Sequence, residues 1–191
     1  RWTGNSLALR AISFPDSATG TAVGNYGVII RTTDAGRTWV RQTNGPFDSN
    51  VHFTGVAFVD RDHGIVVGPG GDIYRTTDGG ASWTAYSIPG VASFLTAVSV
   101  RGNTAMAVGD SGRIAYSSDG GVTWTTRING GGAHLRDVWV EDSARAFAVG
   151  VGVILRTTDA GITWVGIPSG EVSTWTTISF IDSLRGFTGS G

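Results

Sequence analysis

The chain has 191 residues, ample for a buried core, and a net charge of −1, too small to create a field that draws nucleic acid or an anionic membrane. It has no Cys, which excludes disulfides and thiolate metal sites, and its 14 basic residues are all Arg. No signal peptide or apolar membrane-spanning run is present.

Arg1-Trp2-Thr3 reads as the tail of a turn phrase that the chain then repeats four times. A first alternating strand is predicted over Leu9–Phe14, a small-residue strand over Thr21–Gly24, and a third over Gly27–Arg31. Thr32-x-Asp34-x-Gly36-x-Thr38-Trp39 follows, and Trp39–Gln42 leaves it as a fourth strand. The order returns with Phe53–Phe58, Ile65–Gly68, Gly71–Arg75 and a turn holding Asp78, Gly80 and Trp83. It returns again with Leu95–Val100, Ala105–Gly109, Gly112–Tyr116 and a turn holding Asp119, Gly121 and Trp124. The fourth pass runs through Leu135–Val140, Ala146–Gly150, Gly152–Arg156 and a turn holding Asp159, Gly161 and Trp164. Trp175–Phe180 opens a fifth pass, which stops after part of a second strand.

The tryptophans at 39, 83, 124 and 164 are 44, 41 and 40 residues apart. A fixed period of this size, built of four short strands with Gly- and Asp-rich turns, predicts an all-β propeller of four-stranded antiparallel blades. The chain holds four full repeats and parts of a fifth. Either the termini meet in one ring, or residues 1–191 are an excerpt of a larger one; the second account is favoured because the chain begins inside a turn phrase.

Within each phrase the Asp accepts hydrogen bonds from the turn's backbone, and the hydroxyl two residues earlier ties the incoming strand to it. The invariant Gly suggests a backbone angle that side chains resist, while Ala35 and Ala160 show that a side chain is tolerated one residue earlier. The Trp fills the gap between neighbouring sheets. These roles are structural, and one carboxylate per phrase is too few for calcium. Arg31, Arg75 and Arg156 share one repeat position and are read as structural, with stems between sheets and heads paired near the turns. No metal or cofactor site is predicted: His52, His63 and His134 lack ligand spacing, and no Gly-rich loop leads into a helix.

The phrase is the Asp-box, or BNR repeat, of bacterial sialidases and many secreted propellers. The longer unit from Gly20 to Trp39 resembles the photosystem II assembly and stability factor type of BNR propeller, and the resemblance covers essentially the whole chain. It implies a non-catalytic, typically seven-bladed scaffold for protein partners within a larger complex. It also implies an extracytoplasmic location in the periplasm, thylakoid lumen or outside the cell. A sialidase-like or carbohydrate-binding propeller, with a glycan as ligand, is the alternative, but the Phe/Tyr-Arg-Ile-Pro segment of sialidases is missing. A second alternative is a structural subunit of a large surface or membrane-attached assembly.

In a propeller, the loops entering the innermost strands share one face with the turns between second and third strands. That rule selects Arg10, His52, His134, Arg136, Asp137 and Trp175, with Tyr26, Asp72 and Asp110 from the shorter turns, as the candidate binding surface.

Overall fold

A computed structural model describes residues 8–190, apart from 44, 46, 48, 49, 89–93, 130, 171, 172, 183 and 184. The expected turn-phrase tail Arg1-Trp2-Thr3 lies outside the described residues. The described chain is all β-strand and turn, with two single-turn 3-10 segments.

The first blade is β1 (Leu9–Ser13), β2 (Gly20–Gly24), β3 (Ile29–Thr32) and β4 (Val40–Gln42). The second is β5 (Gly55–Phe58), β6 (Gly64–Val67), β7 (Asp72–Thr76) and β8 (Thr84–Ser87). The third is β9 (Leu95–Arg101), β10 (Thr104–Gly109), β11 (Arg113–Ser117) and β12 (Thr125–Ile128). The fourth is β13 (Leu135–Val140), β14 (Ala146–Gly150), β15 (Val153–Thr157) and β16 (Val165–Gly166). Each is an antiparallel sheet in chain order, and β17 (Trp175–Asp182) pairs with β18 (Arg185–Ser190) as a two-stranded fifth sheet. The propeller blades predicted from the repeat are therefore present. The fourth strands start one residue after the Trp, because the Trp closes the turn rather than entering the ladder.

Successive blades pack face to face, with the first strands neighbouring one another in the order β1, β5, β9, β13, β17. Alternation sends one set of each first strand's residues toward the preceding blade. Leu95 and Val98 do so in the core between the second and third blades, alongside Ile65, Val67 and Ile73. Leu135, Val138 and Val140 do so between the third and fourth, against Met106, Val108 and Ile114. Phe53, Val56 and Phe58 do so between the first and second, against Val23 and Ile29. Burying one such side chain contributes about 1.5–3 kcal/mol.

The second strands are the most buried, and their terminal glycines have a specific cause. A Cβ on Gly24, Gly109 or Gly150 would stand 2.1, 1.9 or 2.0 Å from the carbonyl oxygen of Ala8, Phe94 or His134. The close approach lets that oxygen accept an N–H from the following turn: Asn25, Asp110 or Val151.

The Asp-box turns repeat almost atom for atom. Thr32 Oγ1 donates to Asp34 Oδ1 at 2.7 Å and accepts from the Gly36 N–H at 3.0 Å. Asp34 in turn accepts from the Thr38 N–H at 2.9 Å and the Thr38 hydroxyl at 2.6 Å. Led by the Thr38 hydroxyl, these donors lower the Asp34 carboxyl to a pKa of about 2, and Thr123 and Thr163 do the same for Asp119 and Asp159. The Ser82 hydroxyl lowers Asp78 in the same way.

Both residues after the Asp are left-handed, which tolerance of Ala had not suggested: Ala35 and Ala160 have φ of 61° and 60°, and Gly36 and Gly161 82° and 83°. Ala occupies the narrow left-handed well of L-residues at a cost, whereas the larger angle falls to Gly. Trp39, Trp124 and Trp164 donate Nε1–H back to the Gly carbonyl of their own box. Trp83, Trp124 and Trp164 pack into the cores shared with the preceding blade, as their size predicts.

Candidate functional site

The first strands enclose an axial channel of about 580 Å³, lined at its sides by Arg10, Thr54, Thr96, Arg136, Asp137 and Thr177 among others. Its wall is stitched by side chains that bond to the next blade's backbone. Thr54 Oγ1 donates to Leu95 O at 2.6 Å, and Thr96 Oγ1 donates to Leu135 O at 2.8 Å. Deeper in, Ser13 Oγ accepts from the Phe58 N–H, and Ser99 Oγ from the Val140 N–H.

Arg10 and Arg136 stand where the second and third blades carry Thr54 and Thr96. A guanidinium is too long for the short Thr bridge, so both side chains are exposed at the channel. Arg10 is steadied by a 2.8 Å bond from its Nε–H to Asn25 Oδ1. Arg136 makes no hydrogen bond or ion pair among the described residues.

Asp137 has the opposite character. Its Oδ1 accepts the Val138 N–H at 2.8 Å, and its Oδ2 accepts the Ile178 N–H at 2.9 Å and the Thr177 hydroxyl at 3.1 Å. Burial pushes its pKa up, and the three donors pull it back only in part. Expected as a binding residue, it lies on the channel wall but spends its oxygens joining β13 to β17.

Four of the remaining candidates form two bridges at the junctions between blades. The Tyr26 ring, on a left-handed residue with φ of 60°, meets the His52 ring edge-on at 5.0 Å. His134 Nδ1 lies 2.9 Å from Asp110 Oδ1. Each bridge joins one blade's turn between second and third strands to the residue leading into the next blade's first strand, so His52 and His134 are equivalent in place while differing in partner. Asp72 opens β7, and Trp175 opens β17 opposite Ser190. Only Arg10, Arg136 and Asp137 of the nine line the channel itself.

Sequence reading missed Asn25, the residue that orients Arg10; its place between Gly24 and the left-handed Tyr26 was the available signal. It also missed a second recurrent turn on the Asp-box side. Asp16, Asp60 and Asp142 each accept two backbone N–H groups in the hairpin between first and second strands. Asp16 also takes the Arg61 guanidinium of the next blade at 2.7 Å, which holds its carboxyl well below the usual range.

The sequence pattern of the family described as Photosynthesis system II assembly factor YCF48 matches residues 3–130 and again 42–186. The chain belongs to this family. No curated protein sequence matches it. The solved structure of YCF48 bound to D1 peptide superimposes with a TM-score of 0.58 at 19% identity, covering 95% of this chain and 90% of that one. YCF48 from Cyanidioschyzon merolae gives 0.56 at 18%, covering 98% and 94%. The WD40 repeats of RRP9 give 0.79 at 10%, covering 97% of this chain and 58% of theirs. At these identities the superpositions carry the propeller fold. Membership of the YCF48 family rests on the sequence match and agrees with the resemblance read from Gly20–Trp39.

Proposed function

We propose that this propeller is a non-catalytic, extracytoplasmic scaffold that binds a segment of a partner protein at the channel mouth. The observation that carries the reading is the free, exposed guanidinium of Arg136 beside the channel, with Arg10 held by Asn25 on the same lining. A planar guanidinium pairs bidentately with carboxylates, so a segment bearing carboxylate groups suits it. The YCF48 structure with a bound D1 peptide supports a polypeptide as the occupant. Against hydrolysis stands the supply of acids. Most glycosidases use two carboxylates flanking the bond, and sialidases a Tyr nucleophile with acidic partners. Among the described residues lining the channel there is no Tyr, and the only carboxylate, Asp137, is committed to three donors.

The test is pull-down of partners from the source organism with the wild-type chain and with Arg136→Ala/His134→Ala. The double variant is expected to lose most of the captured partner while keeping its thermal midpoint. Unchanged capture removes the channel mouth as the binding site, and a glycan found over Arg10 and Arg136 in soaked crystals overturns the protein-partner reading.

A further inference from the structure

The junction of the first and second blades and that of the second and third both lie between four-stranded sheets of this chain. They differ near the Asp-box side, around the Arg of the leading blade's third strand. In the first junction Arg31 is fully provided for. Its Nη1 donates to Thr21 Oγ1 at 3.0 Å, and its Nη2 donates to the Arg61 carbonyl in the hairpin 59–63 of the second blade. Its guanidinium carbon also lies 5.2 Å from the centre of the Phe58 ring. The second junction offers Arg75 none of the three. Ile65 stands opposite Arg75 where Thr21 stands opposite Arg31. Val100 takes the place of Phe58, and a short turn at 102–103 takes the place of the hairpin. Arg75 is half-buried and keeps one acceptor, the Gly120 carbonyl, 2.7 Å from its Nε. Its two terminal nitrogens have no partner among the described residues. Beside them opens a cavity of about 310 Å³, lined by Arg75, Val59, Ile65, Val100 and the polar groups of Asp60, His63 and Asp119 among others.

We propose that this cavity is a receptor for one aromatic residue of a partner polypeptide, which presents its ring and a backbone carbonyl together. The first junction supplies the template. A ring lies against the guanidinium, as Phe58 against Arg31, and a carbonyl accepts from the terminal nitrogens, as Arg61 does. Val59, Ile65 and Val100 give the ring an apolar wall. A cation does not suit the site. His63 Nδ1 already faces both Asp60 oxygens, at 3.0 and 2.9 Å, in the place where Asp16 takes Arg61. A carboxylate does not suit it either. Asp60 and Asp119 line the cavity against the one guanidinium of Arg75, and even a charged His63 leaves that lining with no net positive charge. A neutral acceptor on an apolar group meets both conditions. The site thereby differs in chemistry from the channel mouth, at the other end of the first strands, whose free guanidinium suits carboxylates.

The probe is the capped tripeptide acetyl-Gly-Phe-Gly-amide, titrated into the isotope-labelled full chain and followed by nuclear magnetic resonance. The Arg75 Nε–H signal, identified by its loss in Arg75→Leu, should shift saturably. Replacing the peptide's Phe by Ala or by Glu should weaken binding about tenfold or more. Arg75→Leu in the chain should weaken it as much, since the donors are gone while the stem remains. Val100→Phe/Ala105→Gly, which rebuilds the Phe58–Gly64 pair of the first junction, should exclude the peptide, with circular dichroism showing the fold retained. Arg136→Ala/His134→Ala should bind it normally, which separates this site from the channel mouth. No saturable shift, equal binding of the Glu peptide, or binding undiminished by Arg75→Leu would each overturn the proposal.

Discussion

The strands β1 and β9 occupy the same place in the first and third blades and carry nearly the same pattern. In β9, Leu95 is 0% exposed and Val98 8%, because the second blade covers them. In the first blade, Leu9 is 51% exposed, Ile12 58% and Phe14 45%, since among the described residues no blade lies over that face. The strand forms in both cases, so the β-structure is a property of the blade's own ladder. The hydrophobic stabilisation belongs to the pair of blades. A blade alone has a sheet and half a core, as expected where each repeat draws its burial from its neighbours.

The widest separation between the two regions should come from truncating equivalent leucines. Leu135→Ala, between the third and fourth blades, should cost about 2–5 kcal/mol in chemical denaturation. Leu9→Ala should cost no more than about 0.5 kcal/mol. Equal costs would mean that the first blade's leading face is covered in solution.

A smaller contrast is expected at the box glycines. A Cβ on Gly121 would meet Ile65 Cδ1 of the second blade at 2.7 Å, whereas on Gly36 the nearest atom is 3.8 Å away, in its own blade. Both have strongly positive φ, 86° and 82°. Gly36→Ala should therefore lose about 1–2 kcal/mol from the backbone alone, and Gly121→Ala should lose more because the blade contact must also shift. Thermal midpoints of the two variants measure the difference.

The smallest effect is in pH. Box carboxylates fall from the ordinary 3.8 to about 2 in the first blade and the third alike, since their donors lie within the turn. Their contribution is complete above about pH 4 and is lost as pH falls through about 2. Asp137, raised by burial, has the opposite sign: its contribution is present below the usual carboxylate range and declines as pH rises through its folded pKa. A thermal-midpoint profile should drop modestly below pH 4 in every blade-intact variant. Asp137→Asn should flatten the slope above that, whatever its overall cost in lost acceptors.

The blades were legible because their determinants are local. Thr32, Asp34, Gly36 and Thr38 close a turn by themselves, and four copies at a steady period leave little choice of architecture. The hairpin aspartates escaped notice although Asp16 and Asp142 both open an Asp-Ser-Ala run, because Asp60 is followed by Arg-Asp-His and the third blade replaces the turn with the short one around Gly102. Of the nine residues the sequence offered, Arg10, Arg136 and Asp137 line the channel. Sequence alone could not separate Arg136, which is free among the described residues, from Asp137, whose Oδ1 is taken by its own strand and Oδ2 by the next.

By itself the sequence determined the repeat, the strand order, the turn chemistry and the family, all of which depend on residues within about forty positions of each other. Tertiary structure decided which apolar faces are covered, which arginines find a carbonyl in the next blade and which carboxylate is buried. Those outcomes depend on partners one full repeat away, such as Arg75 with Gly120 and Asp137 with Ile178. A repeat pattern states what each blade offers; only packing against its neighbour determines whether the offer is met.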